Sequence, residues 1–180
     1  MKKVLATLLA LTLMVTVAAS AALAEDAAEP TFTCGVQFNM DMEQVMQLVN
    51  QPNPEIEKEK TRGTVEFWEL EYDHIVGDDG VTGDLKFSFV GNCLVAIHYE
   101  LAEGTSYEAI KETLVNSYGD AVPFDDANIG NARYVIDDDG DLKDCKEMIV
   151  REDLVIVLEQ DHDGDVDVTI LDPTAAYINN

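Results

Sequence analysis

Basic side chains are scarce. Only 11 Lys and Arg stand against 36 Asp and Glu, a formal net charge of −25 over 180 residues. Such a chain has no basic patch to grip nucleic-acid phosphates or an anionic membrane, which excludes both as partners. Basic proteins, cationic polymers and divalent cations stay compatible. So does the plain reading in which negative charge only keeps an exported monomer soluble. Histidine is rarer still: His74, His98 and His162 form no H-x-H or H-E-x-x-H arrangement that would hold zinc. Serine-hydrolase elbows, phosphate-binding loops and glycine-rich dinucleotide turns are all missing. Cys93 and His98 sit five residues apart on one strand-like run and point to opposite faces, so they make no dyad. The expectation is a protein that is no enzyme, the minority alternative being an envelope hydrolase built on unmarked carboxylates.

Cysteine is limited to Cys34, Cys93 and Cys145, an odd number with no C-x-x-C spacing. That excludes a zinc knuckle and a redox motif, and it permits at most one internal disulfide. In an oxidising space one pair would bridge; without oxygen all three would serve as small apolar residues.

Long apolar stretches are also missing, except at the start. Residues 1–24 carry Lys2 and Lys3, then an apolar middle, then Ala22-Leu23-Ala24. That is the pattern of a secretory signal peptide, and it predicts cleavage before Glu25 and a secreted or extracytoplasmic protein. Val4 to Ala24 is long enough to span a bilayer, so a retained anchor is the alternative. A lipid anchor is not expected, because the first cysteine is Cys34.

What is present reads as two similar halves. After a leader over 25–33, Asp41 caps a short helix with Met42, Val45, Met46 and Val49 on one face and Gln44 completing the capping box. Asn50 and Pro52 stop it, and 51–63 reads as a polar loop. Strands are predicted over 64–72, 84–90 and 93–101, the last two joined by Gly91-Asn92 as a tight hairpin. In the last, Val95, Ile97, Tyr99 and Leu101 share one face and Ala96, His98 and Glu100 the other, one of them wet. Thr105-Ser106-Tyr107-Glu108 opens a second helix with Tyr107, Ile110, Leu114 and Tyr118 inward, ended by Gly119. Strands follow over 132–136, 146–151, 154–160 and 166–171. The expected class is α+β, a tandem repeat of a helix and a three- to four-stranded antiparallel sheet, over 34–103 and 104–172, with a loose tail over 173–180.

Phe38-x-Met40-x-Met42-Glu43-Gln44-Val45, followed by Leu48 and Pro52, resembles the helix-opening signature of the small lipoprotein of the outer-membrane assembly machine. The duplicated helix-plus-sheet layout is similar to the β-lactamase inhibitory proteins and to exported proteins of Gram-positive bacteria. The resemblance implies a helix layer on an antiparallel sheet whose open face contacts protein. Asn50 stands where the signature has glycine, and no functional residue carries over.

Two sets of candidate residues follow. Trp68, Leu70 and Tyr72 exceed what alternation explains, since Val65 and Phe67 already supply the other face. Either that strand is buried on both sides, or Trp68 and Tyr72, with His98, form a contact surface for a protein or cell-envelope component. The second set is acidic. Asp161, Asp163, Asp165 and Asp167 surround Gly164, and Asp137, Asp139 and Asp141 repeat the pattern around Gly140. Calcium wants six to eight oxygens from carboxylates so spaced, with glycine at the sixth position. Val166 occupies that position in the first string and Leu142 in the second. The first string therefore reads as a hairpin tip at Asp161 to Asp165, with weakly bound calcium as the one cofactor compatible with it.

Overall fold

Asp41 opens the first helix as its spacing predicts. Its side chain accepts the Gln44 N–H at 2.8 Å, and the Gln44 side chain accepts the Asp41 N–H at 2.9 Å. Two donors that a helix start leaves orphaned are thereby satisfied. In the computed structural model, which describes residues 32–62, 65–76, 82–129, 133, 136 and 142–175, this helix, α1, runs Met42–Val49 and buries Val45 and Val49. It stops where Asn50 turns left-handed, at φ 50°. Ser106, rather than Thr105, caps the second helix, α2, Tyr107–Tyr118, which buries Ile110, Leu114 and Tyr118. Its last turn closes when the Gly119 N–H donates to the Val115 carbonyl at 3.0 Å. Among the described residues no helix is long and apolar enough to cross a membrane.

Eight described strands form one antiparallel sheet: β1 Glu55–Arg62, β2 Val65–Val76, β3 Thr82–Val90, β4 Cys93–Leu101, β5 Val122–Pro123, β6 Cys145–Val150, β7 Val155–Gln160 and β8 Val166–Leu171. The order is β1-β2-β3-β4-β8-β7-β6-β5, so the β4–β8 pairing alone joins the first four strands to the last four. A short helix, α3, Asp126–Ile129, lies between β5 and β6. The class is α+β, dominated by sheet.

Three expectations are corrected. The polar loop over 51–63 contains β1, whose sequence EIEKEKTR pairs with β2 through a register shift between Glu57 and Lys60. Charge does not bar a strand at a sheet edge, where it deters pairing with other chains. The strand expected over 132–136 falls largely outside the described residues, and the two that are described, Arg133 and Ile136, are helical. Lastly, β4 is not dry on one face and wet on the other.

That last correction has a local cause. A register shift between Ser88 and Phe89 puts Leu94 opposite Phe89 and Ala96 opposite Ser88, leaving Val95 as an extra residue. Such a bulge rotates the strand, so the alternation read along β4 changes phase. Leu94 and Ile97 join a core formed with α1, α2, Leu70, Tyr72, Phe87, Val168 and Ile170. Val95 and Ala96 join a second core on the other face, with Ile129, Ile136, Met148, Val155, Val157 and Leu171. The sheet is buried on both sides at its C-terminal end, and the face opposite α1 and α2, on which Ile129 of α3 packs, is polar only across the middle strands.

Candidate functional site on the face opposite the two long helices

The aspartate hairpin is built from its first residue. Asp161 Oδ1 accepts the N–H groups of Asp163 at 2.9 Å, Gly164 at 2.7 Å and Asp165 at 2.9 Å. The Asp161 N–H donates to the Asp165 carbonyl at 3.1 Å, and Gly164 takes the left-handed φ of 97° that glycine tolerates. Burial raises the Asp161 carboxyl pKa, but the three backbone donors outweigh it and hold the carboxyl below its ordinary value. One oxygen of the expected cage is thus committed to the turn.

The other aspartates disperse. Asp161, His162 and Asp163 offer atoms within 4.8 Å of one another, with His162 Nε2 at 3.3 Å from Asp163 Oδ2. Asp165 and Asp167 are not part of that group. Asp137, Asp139 and Asp141 lie outside the described residues.

The expected contact set is also divided. Tyr72 is buried on the helix-covered face, edge-on to Phe87 at 6.2 Å, and Trp68 packs half-buried against the same core. His98 is buried on the opposite face, so the three residues share no surface. The reason is the pairing: Trp68 lies opposite Phe89 and Tyr72 opposite Leu85, whereas His98 lies opposite Lys86.

What the fold does assemble is a row. Asp84 pairs with Glu100, Glu100 with Asp167, and Asp167 with Glu159, placing four carboxylates side by side on β3, β4, β8 and β7. In-register partners in an antiparallel sheet point to the same side, about 4.5–5.5 Å apart at their Cβ atoms, and like charges so placed repel. The next row holds Glu71, Lys86, His98, Thr169 and Val157. Within it the Thr169 hydroxyl donates to Glu159 Oε1 at 3.1 Å and lies 2.8 Å from His98 Nδ1. Its one proton being used, the hydroxyl can only accept there, so Nδ1 carries a proton. Lys86 reaches Glu71 at 3.9 Å.

The electrostatics follow from that placement. Burial pushes the Asp167 carboxyl up to about 7, with Glu100, Asp161 and Asp165 adding to the rise and Lys86 opposing it. Glu71 is raised by burial against the pull of Lys86. Glu159 is 3% exposed and Thr169 3%, so the row runs from solvent at Glu100 into the interior at Glu159. Chemically this is a proton-holding, cation-attracting strip.

Reasoning from sequence named Asp167 and His98 but missed Asp84, Lys86, Glu100, Glu159 and Thr169. Alternation along each strand carried part of the signal. The bulge at Val95 and the non-local β4–β8 pairing carried the rest. No protein-family model matches this chain, and neither a curated protein nor a solved structure does.

Proposed function

We propose that this is an exported, soluble, non-enzymatic binding module, released by cleavage before Glu25, that contacts a basic protein or cationic cell-envelope component through the face of its sheet opposite α1 and α2. One observation carries the reading: the in-register acids Asp84, Glu100 and Asp167 on the face opposite α1 and α2. The edges favour face binding over strand addition, because β1 is charged and bulged and β5 is two residues long with a proline. Blocked edges also support a monomer. A tandem repeat over 34–103 and 104–172 belongs to the same proposal, supported by a strand order in which each half contributes four strands and the two last strands meet in the middle. The resemblance to inhibitory proteins of that layout points the same way.

The test is a titration with a lysine-rich peptide at low and high salt. Replacing Asp84, Glu100 and Asp167 by Asn, Gln and Asn should weaken binding by tenfold or so, a loss of about 1.4 kcal/mol. Removing three exposed acids elsewhere, Glu43, Glu112 and Asp125, should leave most of the affinity. Equal losses from both triple variants would reduce the effect to net charge and remove the proposal.

A second reading, a weak calcium module, is favoured by the convergence of Asp161, His162 and Asp163. Melting curves in millimolar calcium and in chelator separate the two. An upward shift with calcium supports the second reading; coincident curves remove it.

A further inference from the structure

The seam between the two groups of four strands is the β4–β8 pairing, and the row of acids crosses it. Glu100 and Asp167 are direct partners across it, and Glu159 flanks Asp167 from β7. Three adjacent carboxylates in a partly buried row cannot all ionise without mutual repulsion. We infer that the row is a proton lock on the seam: a proton held on Asp167, between Glu100 and Glu159, keeps β4 and β8 paired, and its release to solvent loosens that pairing ahead of the rest of the sheet. This does not rest on the binding proposal.

The surroundings of Asp167 fit such a lock. From β3 it meets Asp84 and Lys86, from β4 Glu100 and His98, from β7 Glu159, from the hairpin tip Asp161, His162 and Asp165, and from β6 Cys145 across Glu159. Lys86 is the one lysine or arginine in that set, and Glu71 competes for it at 3.9 Å. The Asp167 carboxyl accordingly titrates near 7, burial being the largest cause.

The sign is fixed by linkage. The folded value lies above the ordinary 3.8, so the proton's contribution is complete below that value and is lost as pH rises through about 7. Seam stability would fall as pH rises through mildly acidic surroundings, and the loss would be complete above about 7.

Two measurements on the full chain test this. Urea unfolding between pH 5 and 8 should show the folded-to-unfolded ratio falling by up to about tenfold per pH unit, the most one linked proton allows. Asp167→Asn should flatten that slope and be more stable than wild type at pH 8. Glu100→Gln removes one repelling neighbour and should end the fall at a lower pH, which keeps the test open if Asp167→Asn fails to fold. Amide exchange on the wild type, corrected for base catalysis, should show β4 and β8 losing protection as pH rises to about 7, and no further loss above it, while β2 and β3 keep theirs. A wild-type slope retained in both variants, or uniform loss of protection across all four strands, would overturn the inference.

Discussion

Gly83 shows how closely strands β3 and β4 approach beside the acidic row. A Cβ built there would stand 2.5 Å from the Glu100 carbonyl oxygen, a backbone atom that cannot rotate away. Gly83→Ala should therefore cost about 1–3 kcal/mol, the usual range for overpacking, read as a lower urea midpoint with unchanged slope. A midpoint within error of wild type would mean that the strands separate freely there. At this scale the sequence was partly legible. The tip at Asp161 to Asp165 was readable because turn chemistry is local: an aspartate that bonds the N–H groups ahead of it, and a glycine at positive φ. The role of Asp167 was not, since its neighbours Glu100 and Glu159 are set by pairing rather than by adjacency.

Between elements, the best-defined polar tie is at Glu147. The Tyr107 hydroxyl donates to Glu147 Oε2 at 3.0 Å and Lys111 Nζ to Oε1 at 2.7 Å, fastening α2 to β6. The Lys111 hydrogen bond, opposed by burial and aided by the Tyr107 bond, lowers the Glu147 carboxyl, while burial and that same bond raise the Tyr107 hydroxyl. Glu147→Gln should cost on the order of 1 kcal/mol at pH 7. Because the folded value is depressed, the contribution exists above the ordinary carboxylate range and fades as pH falls through the lowered value. The wild-type and variant unfolding midpoints should draw together as pH falls below the ordinary carboxylate value of about 4.3. A difference that persists at low pH would assign the tie to packing. Helices α1 and α2 were legible from caps and spacing, which are properties of a few consecutive residues. Strand β1 was not, because a run as charged as EIEKEKTR becomes a strand only when β2 offers it an unpaired edge.

At the scale of the whole molecule, the charge of −25 and the sheet face opposite α1 and α2 belong together. Helices α1 and α2 cover one side, the C-terminal core with Ile129 of α3 covers part of the other, and a row of acids crosses β3, β4 and β8 there. The α+β class was readable from periodicity. The order in which the strands join was beyond reach, because β4 and β8 are separated by more than sixty residues and no local signal specifies their pairing. The claim that this face is the binding surface is tested most directly by a nitrogen-15 NMR titration of the chain with the lysine-rich peptide. The account predicts shifts concentrated at the amides of Asp84, Lys86, Glu100 and Asp167 and their strand neighbours, with the amides of α1 and α2 unmoved. Shifts centred on the helices, or spread evenly over all exposed acids, would contradict it.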